Sequence, residues 1–225
     1  MKYNPTDTGE KGIHVFGVSE ALLRRTPKYY KYICKQAEEG GDYISSSELA
    51  QALGLGAVQV RKDLALLSSV PGQSRVGFST RTLKADIEKF LGYNVTNEAI
   101  LVGVGNMGAA LLAHKGFARC GLKLVAAFDV RKSMQGKTID GKPVLPMSQM
   151  AALVEREGIK LAIIAVPASA AQGVCNKLVK AGIEGILNLS PTHIDVPHNV
   201  MTQDEDIASA LSILAQKVTD KEAGR

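Results

Sequence analysis

The sequence predicts an α/β chain in two parts: a helical N-terminal segment, then a longer segment in which apolar strands alternate with helices. Three observations predict it. From about Ser19 to Gly92 the apolar residues recur at helical spacing, with Gly and Pro between the runs. After Gly92 come short continuous apolar runs, each followed by a helical stretch, as in parallel strands covered on both faces. The first of those runs ends in a glycine-rich turn, Gly103-Val104-Gly105-Asn106-Met107-Gly108.

The 225 residues are 45% hydrophobic, enough for packed cores and too many for a disordered chain. No apolar run approaches the roughly 20 residues that a membrane span needs. Met1 to Gly12 is polar and lacks the apolar centre of a secretory signal, which predicts a disordered leader over residues 1–18 of a cytoplasmic protein. Cys34, Cys120 and Cys175 lie far apart, with no C-x-x-C pair and no His at metal spacing. Free thiols in a reducing compartment are expected, and no metal site. The net charge of +5 suits a polyanionic partner, though ordinary enzymes are as basic.

Within residues 19–92 the first helix is basic. Arg24, Arg25, Lys28, Lys31 and Lys35 come with no acid between them, and Pro27 suits a first helical turn. Ser45, with Glu48 three residues on, is placed to cap a second helix carrying Leu49, Ala50 and Leu53, which Gly54 and Gly56 stop. A third helix over about 57–67 puts Val60, Leu64 and Leu67 on one face. Gln59, Arg61, Lys62 and Asp63 are left for the faces that look outward. Two short helices around a Gly-containing turn are helix-turn-helix grammar. In the following stretch Pro71-Gly72 can turn and Arg75 to Phe78 can extend, as in a β-hairpin wing. A helix over about 81–91 closes this winged helix-turn-helix domain.

The boundary is expected at about 92–97. Residues 93–203 then read as a Rossmann domain, a doubly wound parallel sheet. Its strands are expected at about 99–104, 124–128, 161–166 and 185–189, and its helices at about 108–120, 147–157 and 170–181. Residues 204–225 hold a last helix, with Ile207, Leu211, Leu214 and Val218 on one face.

In the glycine turn, Gly103 permits the bend, Gly105 lets backbone approach a pyrophosphate, and Gly108 lets the next helix sit close to its strand. The helix that starts near Asn106 and Met107 aims unpaired N–H groups and its positive end at the phosphates. Asp129 ends the next strand, where a carboxylate accepts from the adenosine ribose hydroxyls and favours NAD and NADH over the 2′-phosphorylated forms. Val130 and Arg131 follow it, and a guanidinium there is able to tolerate that phosphate. FAD, S-adenosylmethionine and a plain turn without ligand stay open. Val166-Pro167-Ala168 and Asn188-Leu189-Ser190-Pro191 fall at the carboxyl ends of later strands, the edge where such sheets bind ligands. They complete the expected cofactor pocket.

A dehydrogenase needs a proton-transfer group beside the nicotinamide. His193, with Asp195 two residues on, is the nearest candidate, and a surface-loop histidine is the simpler reading. No catalytic residue is assigned, and no segment is left over for a substrate domain.

The chain resembles the Rex family of redox-sensing transcriptional repressors over nearly all its length. Gln59-Val60-Arg61-Lys62-Asp63-Leu64 is similar to that family's recognition helix. Gly103 to Gly108 with Lys115-Gly116-Phe117, Ala126 to Asp129, Val166-Pro167, and Gly185-Ile186-Leu187-Asn188 resemble its cofactor domain. The resemblance implies a homodimer that binds palindromic double-stranded operator DNA when NADH is scarce and releases it when NADH binds. It also implies that the C-terminal helix is dimer-swapped, reaching the partner subunit. Arg61 and Lys62 would then face the major groove, with Gln59 suited to an adenine edge. The wing residues Ser74, Arg75, Gly77 and Phe78 are further DNA contacts, and Lys28 and Lys31 would hold the backbone.

Departures from the family pattern are concentrated at the moving parts. The wing reads Gly72-Gln73-Ser74-Arg75-Val76-Gly77-Phe78, with one basic position replaced and the other displaced. The family's Arg, Tyr and Asp interdomain switch is matched by Lys31, His114 and Asp206. Read with the resemblance, these are marks of a divergent paralogue, and they leave open whether its redox switch is kept. A small NAD-dependent oxidoreductase, and a DNA-binding protein with a non-switching structural cofactor, are the alternatives.

Overall fold

The computed structural model describes residues 18–222, so most of the expected leader lies outside the described residues. The chain divides into two compact units between Asn94 and Val95.

The N-terminal unit opens with α1 (Glu20–Glu38), whose start is fixed by the Ser19 hydroxyl accepting from the Leu22 N–H at 3.3 Å. Pro27 therefore sits inside the helix rather than in its first turn. It withholds the N–H that would bond the carbonyl four residues back. Thr26 beside it donates its hydroxyl to the Leu22 carbonyl at 2.7 Å. After β1 (Tyr43–Ile44), Ser45 caps α2 (Ser46–Leu53) by accepting from the Glu48 N–H at 3.0 Å. Gly54, in the left-handed region at φ 65°, ends α2, and α3 (Ala57–Leu67) follows two residues later. β2 (Phe78–Ser79) pairs antiparallel with β1, and α4 (Thr80–Leu91) closes the unit. Tyr29, Ile33, Leu49, Val60, Leu64, Leu83 and Ile87 are fully buried in one core, where the four helices meet.

The wing turns later than its sequence suggested. Gln73 and Gly77 bridge, and the tip between them carries Arg75 at φ 65°. Pro71-Gly72 is not the turn; Gly72 instead abuts the Phe78 ring, which a Cβ there would crowd.

The second unit is a seven-stranded sheet in the order β5-β6-β4-β3-β7-β8-β9. Its strands are β3 (Asn97–Val102), β4 (Leu122–Phe128), β5 (Thr138–Ile139), β6 (Lys142–Leu145), β7 (Leu161–Ile164), β8 (Gly185–Asn188) and β9 (Met201–Asp204). All neighbours are parallel except the β5–β6 hairpin. The helices are α5 (Asn106–Leu112), α6 (Met150–Glu157), α7 (Ala168–Lys180) and α8 (Ile207–Glu222). The order of strands reverses on either side of β3, which makes the carboxyl ends of β3 and β7 the switch point where such sheets bind ligands.

Strand alternation splits the core. Ile100, Val102, Phe128, Ile164 and Ile186 pack under α6 and α7, while Ala99, Leu101, Ala127 and Ile163 face the α5 side. The helix expected to reach Cys120 stops at Leu112. Gly116 lies against the His114 ring, and a single 3-10 turn (Phe117–Cys120) leads into β4. The β5–β6 hairpin and β9 were not anticipated. They are short, polar or partly exposed, and carry no apolar run. On the α5 face, Leu161, Ile163, Leu187 and Met201 line an open apolar groove. In α8, Ile207, Leu211, Leu214 and Val218 are all more than half exposed. Among the described residues, no helix is long and apolar enough to cross a membrane.

Candidate functional site

Asp63 is the residue that sequence reasoning misplaced in the N-terminal unit. It was expected to look outward, yet it is 2% exposed. Its carboxylate accepts from Arg25 Nε at 2.7 Å, Arg25 Nη2 at 3.0 Å, the Tyr29 hydroxyl at 2.6 Å and Gln59 Nε2 at 2.7 Å. Burial pushes its pKa up, but the hydrogen bonds from Arg25, Tyr29 and Gln59 outweigh this and hold it below the usual range. Burial, then Asp63 itself, pushes the Tyr29 phenol up to about 12. The signal was present in the spacing: Asp63 stands on the stripe of Val60, Leu64 and Leu67, so a helical pattern already placed it inward.

This network engages two more residues of the unit. Arg25 is not part of a free basic face, because α1 uses it to hold α3. Gln59 gives one of its two amide hydrogens to Asp63, and its other hydrogen and its carbonyl oxygen stay on the exposed side of α3. Arg61 and Lys62 are exposed on α3, and Lys28 and Lys31 are exposed on α1. In the wing, Ser74 and Arg75 are exposed at the tip. Phe78 is not available to a ligand: it is 9% exposed, pairs with Ile44 and belongs to the core. Gly77 is likewise a packing residue. At φ 104° its Cα faces the Ile44 carbonyl, which any Cβ would strike.

The glycine turn follows β3 as expected. Gly103, at φ 99°, abuts the Ala165 carbonyl and Val166 Cγ1, and Gly108 abuts the Gly103 carbonyl, so neither has room for a Cβ. Gly105 differs: open space lies beside it, and Asn106 and Met107 are exposed with it at the start of α5. The three glycines thus serve a bend, an open approach and a close helix contact, in that order. The N–H groups at the start of α5 have no side-chain cap.

Asp129 occupies the strand-end position but is turned into the turn itself. It is 5% exposed. Its Oδ2 accepts from the Val104 N–H at 2.8 Å and Arg131 Nη2 at 2.9 Å; its Oδ1 accepts from the Arg131 N–H at 2.8 Å and Nε at 3.0 Å. Arg131, with backbone support at the same residue and at Val104, lowers the Asp129 pKa to about 2. The carboxylate expected at a ribose has its acceptor positions filled here by the protein's own donors. Arg131 also donates to the Val104 carbonyl at 2.6 Å, and Val130 is exposed beside it.

At the later strand ends, side chains also close on one another. Asn188 is fully buried, donating to the Thr192 carbonyl at 2.7 Å and Asp204 Oδ1 at 2.8 Å while accepting from the Ser190 N–H at 3.0 Å. Ser190 donates its hydroxyl to the Val166 carbonyl at 2.7 Å, tying the two loops together. Asn188 and Ser190 therefore shape the edge and do not present their polar groups to it. Pro167, Ala168 and Pro191 are exposed there, with Val166 half-buried. Asp204 on β9 was not singled out in the sequence. It also holds His193, Nδ1 to Oδ2 at 2.9 Å, whereas Asp195 lies 3.9 Å from the ring. No strand was expected at β9, so no spacing could have linked Asp204 to Asn188.

The switch positions belong to different units. Lys31 is exposed on α1. His114 follows α5 and meets Phe117 edge-on at 5.3 Å. Asp206 precedes α8 and caps it, accepting from the Ser209 hydroxyl at 2.6 Å and from the N–H groups of Ala208 and Ser209. Those bonds, Ser209 foremost, lower its pKa.

Two family models match the chain: "Putative DNA-binding protein N-terminus" over residues 17–65 and "CoA binding domain" over residues 94–192. Among curated proteins, a redox-sensing transcriptional repressor Rex of Carboxydothermus hydrogenoformans is 38% identical, over 88% of this chain and 95% of its own. That of Streptomyces coelicolor is 37% identical, over 88% of this chain and 77% of its own. Among solved structures, the Rex-family repressor RSP is similar in two states. In complex with NAD+ and operator DNA it matches with TM-score 0.85 and 29% identity, covering 92% of this chain and 94% of RSP. In complex with NADH it matches with TM-score 0.83 and 28% identity, covering 92% and 96%.

Proposed function

The chain belongs to the Rex family of redox-sensing transcriptional repressors, and from that premise we propose that it binds palindromic operator DNA as a homodimer and is released by NADH. It is a regulator and not an enzyme. The observation that carries the reading is one chain holding both halves of the device. Exposed Arg61 and Lys62 stand on a helix that a buried aspartate holds in place, and an uncapped helix start opens beside Gly105. The RSP structures, one with NAD+ and operator DNA and one with NADH, support the two ligands.

The parts act as follows. Residues 19–92 form the winged DNA-binding domain, 93–203 the cofactor domain, and 204–225 the helix and tail at the dimer interface. Arg61 and Lys62 enter the major groove, where a bidentate cation contact to guanine discriminates by about 1–3 kcal/mol. Ser74 and Arg75 at the wing tip and Lys28 and Lys31 on α1 meet the backbone. The pyrophosphate lies on the N–H groups of Gly105, Asn106 and Met107, with the positive end of α5 behind them. NAD+ and NADH differ in charge and ring planarity at the nicotinamide, so the redox reading falls to Val166, Pro167, Ala168 and Pro191, held by Asn188 and Ser190.

The bare apolar stripe of α8 and the open groove of Leu161, Ile163, Leu187 and Met201 support a second copy as the partner, with α8 exchanged between subunits. Lys31, His114 and Asp206 keep a positive, a titratable and a negative group at the family's switch positions, and couple cofactor state to the DNA-binding domains. Linkage then requires DNA to change NADH affinity by the same factor that NADH changes DNA affinity. Such a protein acts in the cytoplasm.

The test is fluorescence anisotropy of a labelled operator-like palindrome at fixed salt, with no cofactor, NAD+ or NADH. Loss of affinity with NADH alone is the expected result. Equal affinity in all three states would leave a DNA-binding protein whose cofactor is structural.

A further inference from the structure

Resting on the reading of the glycine turn as a dinucleotide site, we infer that this pocket also takes the 2′-phosphorylated dinucleotide NADPH, with Arg131 as the residue that holds the added phosphate. In a site selective for the unphosphorylated ribose, the strand-end carboxylate keeps lone pairs for the 2′- and 3′-hydroxyls and repels a phosphate at the 2′ position. Asp129 has none to offer. An ionised carboxylate has about four acceptor positions, and the Val104 N–H, the Arg131 N–H, Arg131 Nε and Arg131 Nη2 occupy them at 2.8–3.0 Å.

The group presented at that place is the guanidinium that covers the acid. The Arg131 side chain is 52% exposed while Asp129 beneath it is 5% exposed. The acid's charge is thereby neutralised from the ligand side. The guanidinium is also fixed, since Nη2 donates to the Val104 carbonyl at 2.6 Å as well as to Asp129. A planar cation pinned through Nε and Nη2 keeps its Nη1 edge for an anion, the geometry in which arginine binds phosphate. Lys132, exposed and next in the chain, adds a second positive charge. No carboxylate other than Asp129 is hydrogen-bonded to this guanidinium among the described residues.

The experiment titrates the full-length protein with NADH and with NADPH, following the reduced cofactor's own fluorescence. The wild type and the variants Arg131→Gln and Arg131→Lys are compared, with far-UV circular dichroism to confirm folding. The expected result is NADPH affinity within about tenfold of NADH for the wild type. In Arg131→Gln the ratio of the two affinities moves at least tenfold toward NADH, and Arg131→Lys restores part of it; tenfold corresponds to about 1.4 kcal/mol. NADH binding with NADPH weaker by a hundredfold or more in the wild type, or a ratio that Arg131→Gln leaves unmoved, overturns the inference and leaves the dinucleotide site standing. Binding of neither cofactor overturns both.

Discussion

Helix α3 and the glycine turn each rest on a buried aspartate held by an arginine, Asp63 by Arg25 and Asp129 by Arg131. The two pairs differ in reach. Arg25 comes from another helix, 38 residues away in sequence, and fixes how α3 sits on α1. Arg131 lies two residues on and closes a local turn. In the first unit the lock lies behind α3 and leaves Arg61 and Lys62 exposed. In the second, it spends the acid expected to meet the ligand and leaves backbone N–H groups and one arginine. A side-chain site and a backbone site thus follow from the same pair of residue types.

The comparison breaks most sharply at Asp63. Asp63→Ala strands Arg25, whose side chain is 22% exposed, and the buried Tyr29 hydroxyl. Removing one partner of a buried pair costs about 3–5 kcal/mol. All six tyrosines lie within residues 1–94 and the chain has no Trp, so tyrosine fluorescence reports this unit alone. Urea unfolding followed by that signal should shift by the stated amount, with operator binding lost. A shift under 1 kcal/mol would show that the network is not what holds α3.

Next come two changes of about 1–3 kcal/mol that separate the sites. Gly108→Ala drives a methyl group into the Gly103 carbonyl, an overpacking that backbone must absorb. NADH binding should weaken by about that free energy, roughly 5- to 150-fold, while tyrosine-detected unfolding stays at the wild-type midpoint. Arg61→Ala should do the reverse: operator affinity falls by a comparable free energy, the salt dependence of binding flattens, and stability is unchanged. If Arg61→Ala also moved the tyrosine midpoint, α3 would be carrying its cations as structure.

Asp129→Ala sharpens the contrast with Asp63. Here the arginine is half exposed and turns into water, so the loss reduces to hydrogen bonds at Val104 and within the turn, about 1–2 kcal/mol. Differential scanning calorimetry should show the higher or lower transition moving for one variant and the other transition for its counterpart. Both variants moving one shared transition would mean that the units unfold together.

Much of this was legible from sequence, and what was not has a common cause. Elements defined by apolar runs and caps, such as α2 behind Ser45 or β3 before Gly103, came out within a few residues. What periodicity does not carry is which partners a polar group takes inside the protein, distant or local. Gln59, Asp129, Asn188 and Ser190 have the right residue types in the right places, yet each satisfies the protein's own buried groups. Phe78 was grouped with the wing because it adjoins it, and burial in the core of the unit decided its role.

The smallest effect near neutrality is the pH dependence, and it is the one that treats the two acids alike. Both carboxylates have folded pKa values below the unfolded value of about 3.9. The native state therefore binds fewer protons than the unfolded state as pH falls through this region, and stability falls with it. The contribution is fully present above about pH 4–5 and is lost on the way down to about 2, the folded value of Asp129. Between pH 5 and 8 these two groups contribute no slope. Acid titration followed by tyrosine fluorescence should be flat over that range and then lose signal. In Asp63→Asn, where a neutral amide replaces the acid, the acid-induced loss should shrink for the N-terminal unit alone. A tyrosine transition that starts above pH 5, or one that Asp63→Asn leaves with the same steepness, would assign acid sensitivity to groups other than the two locks.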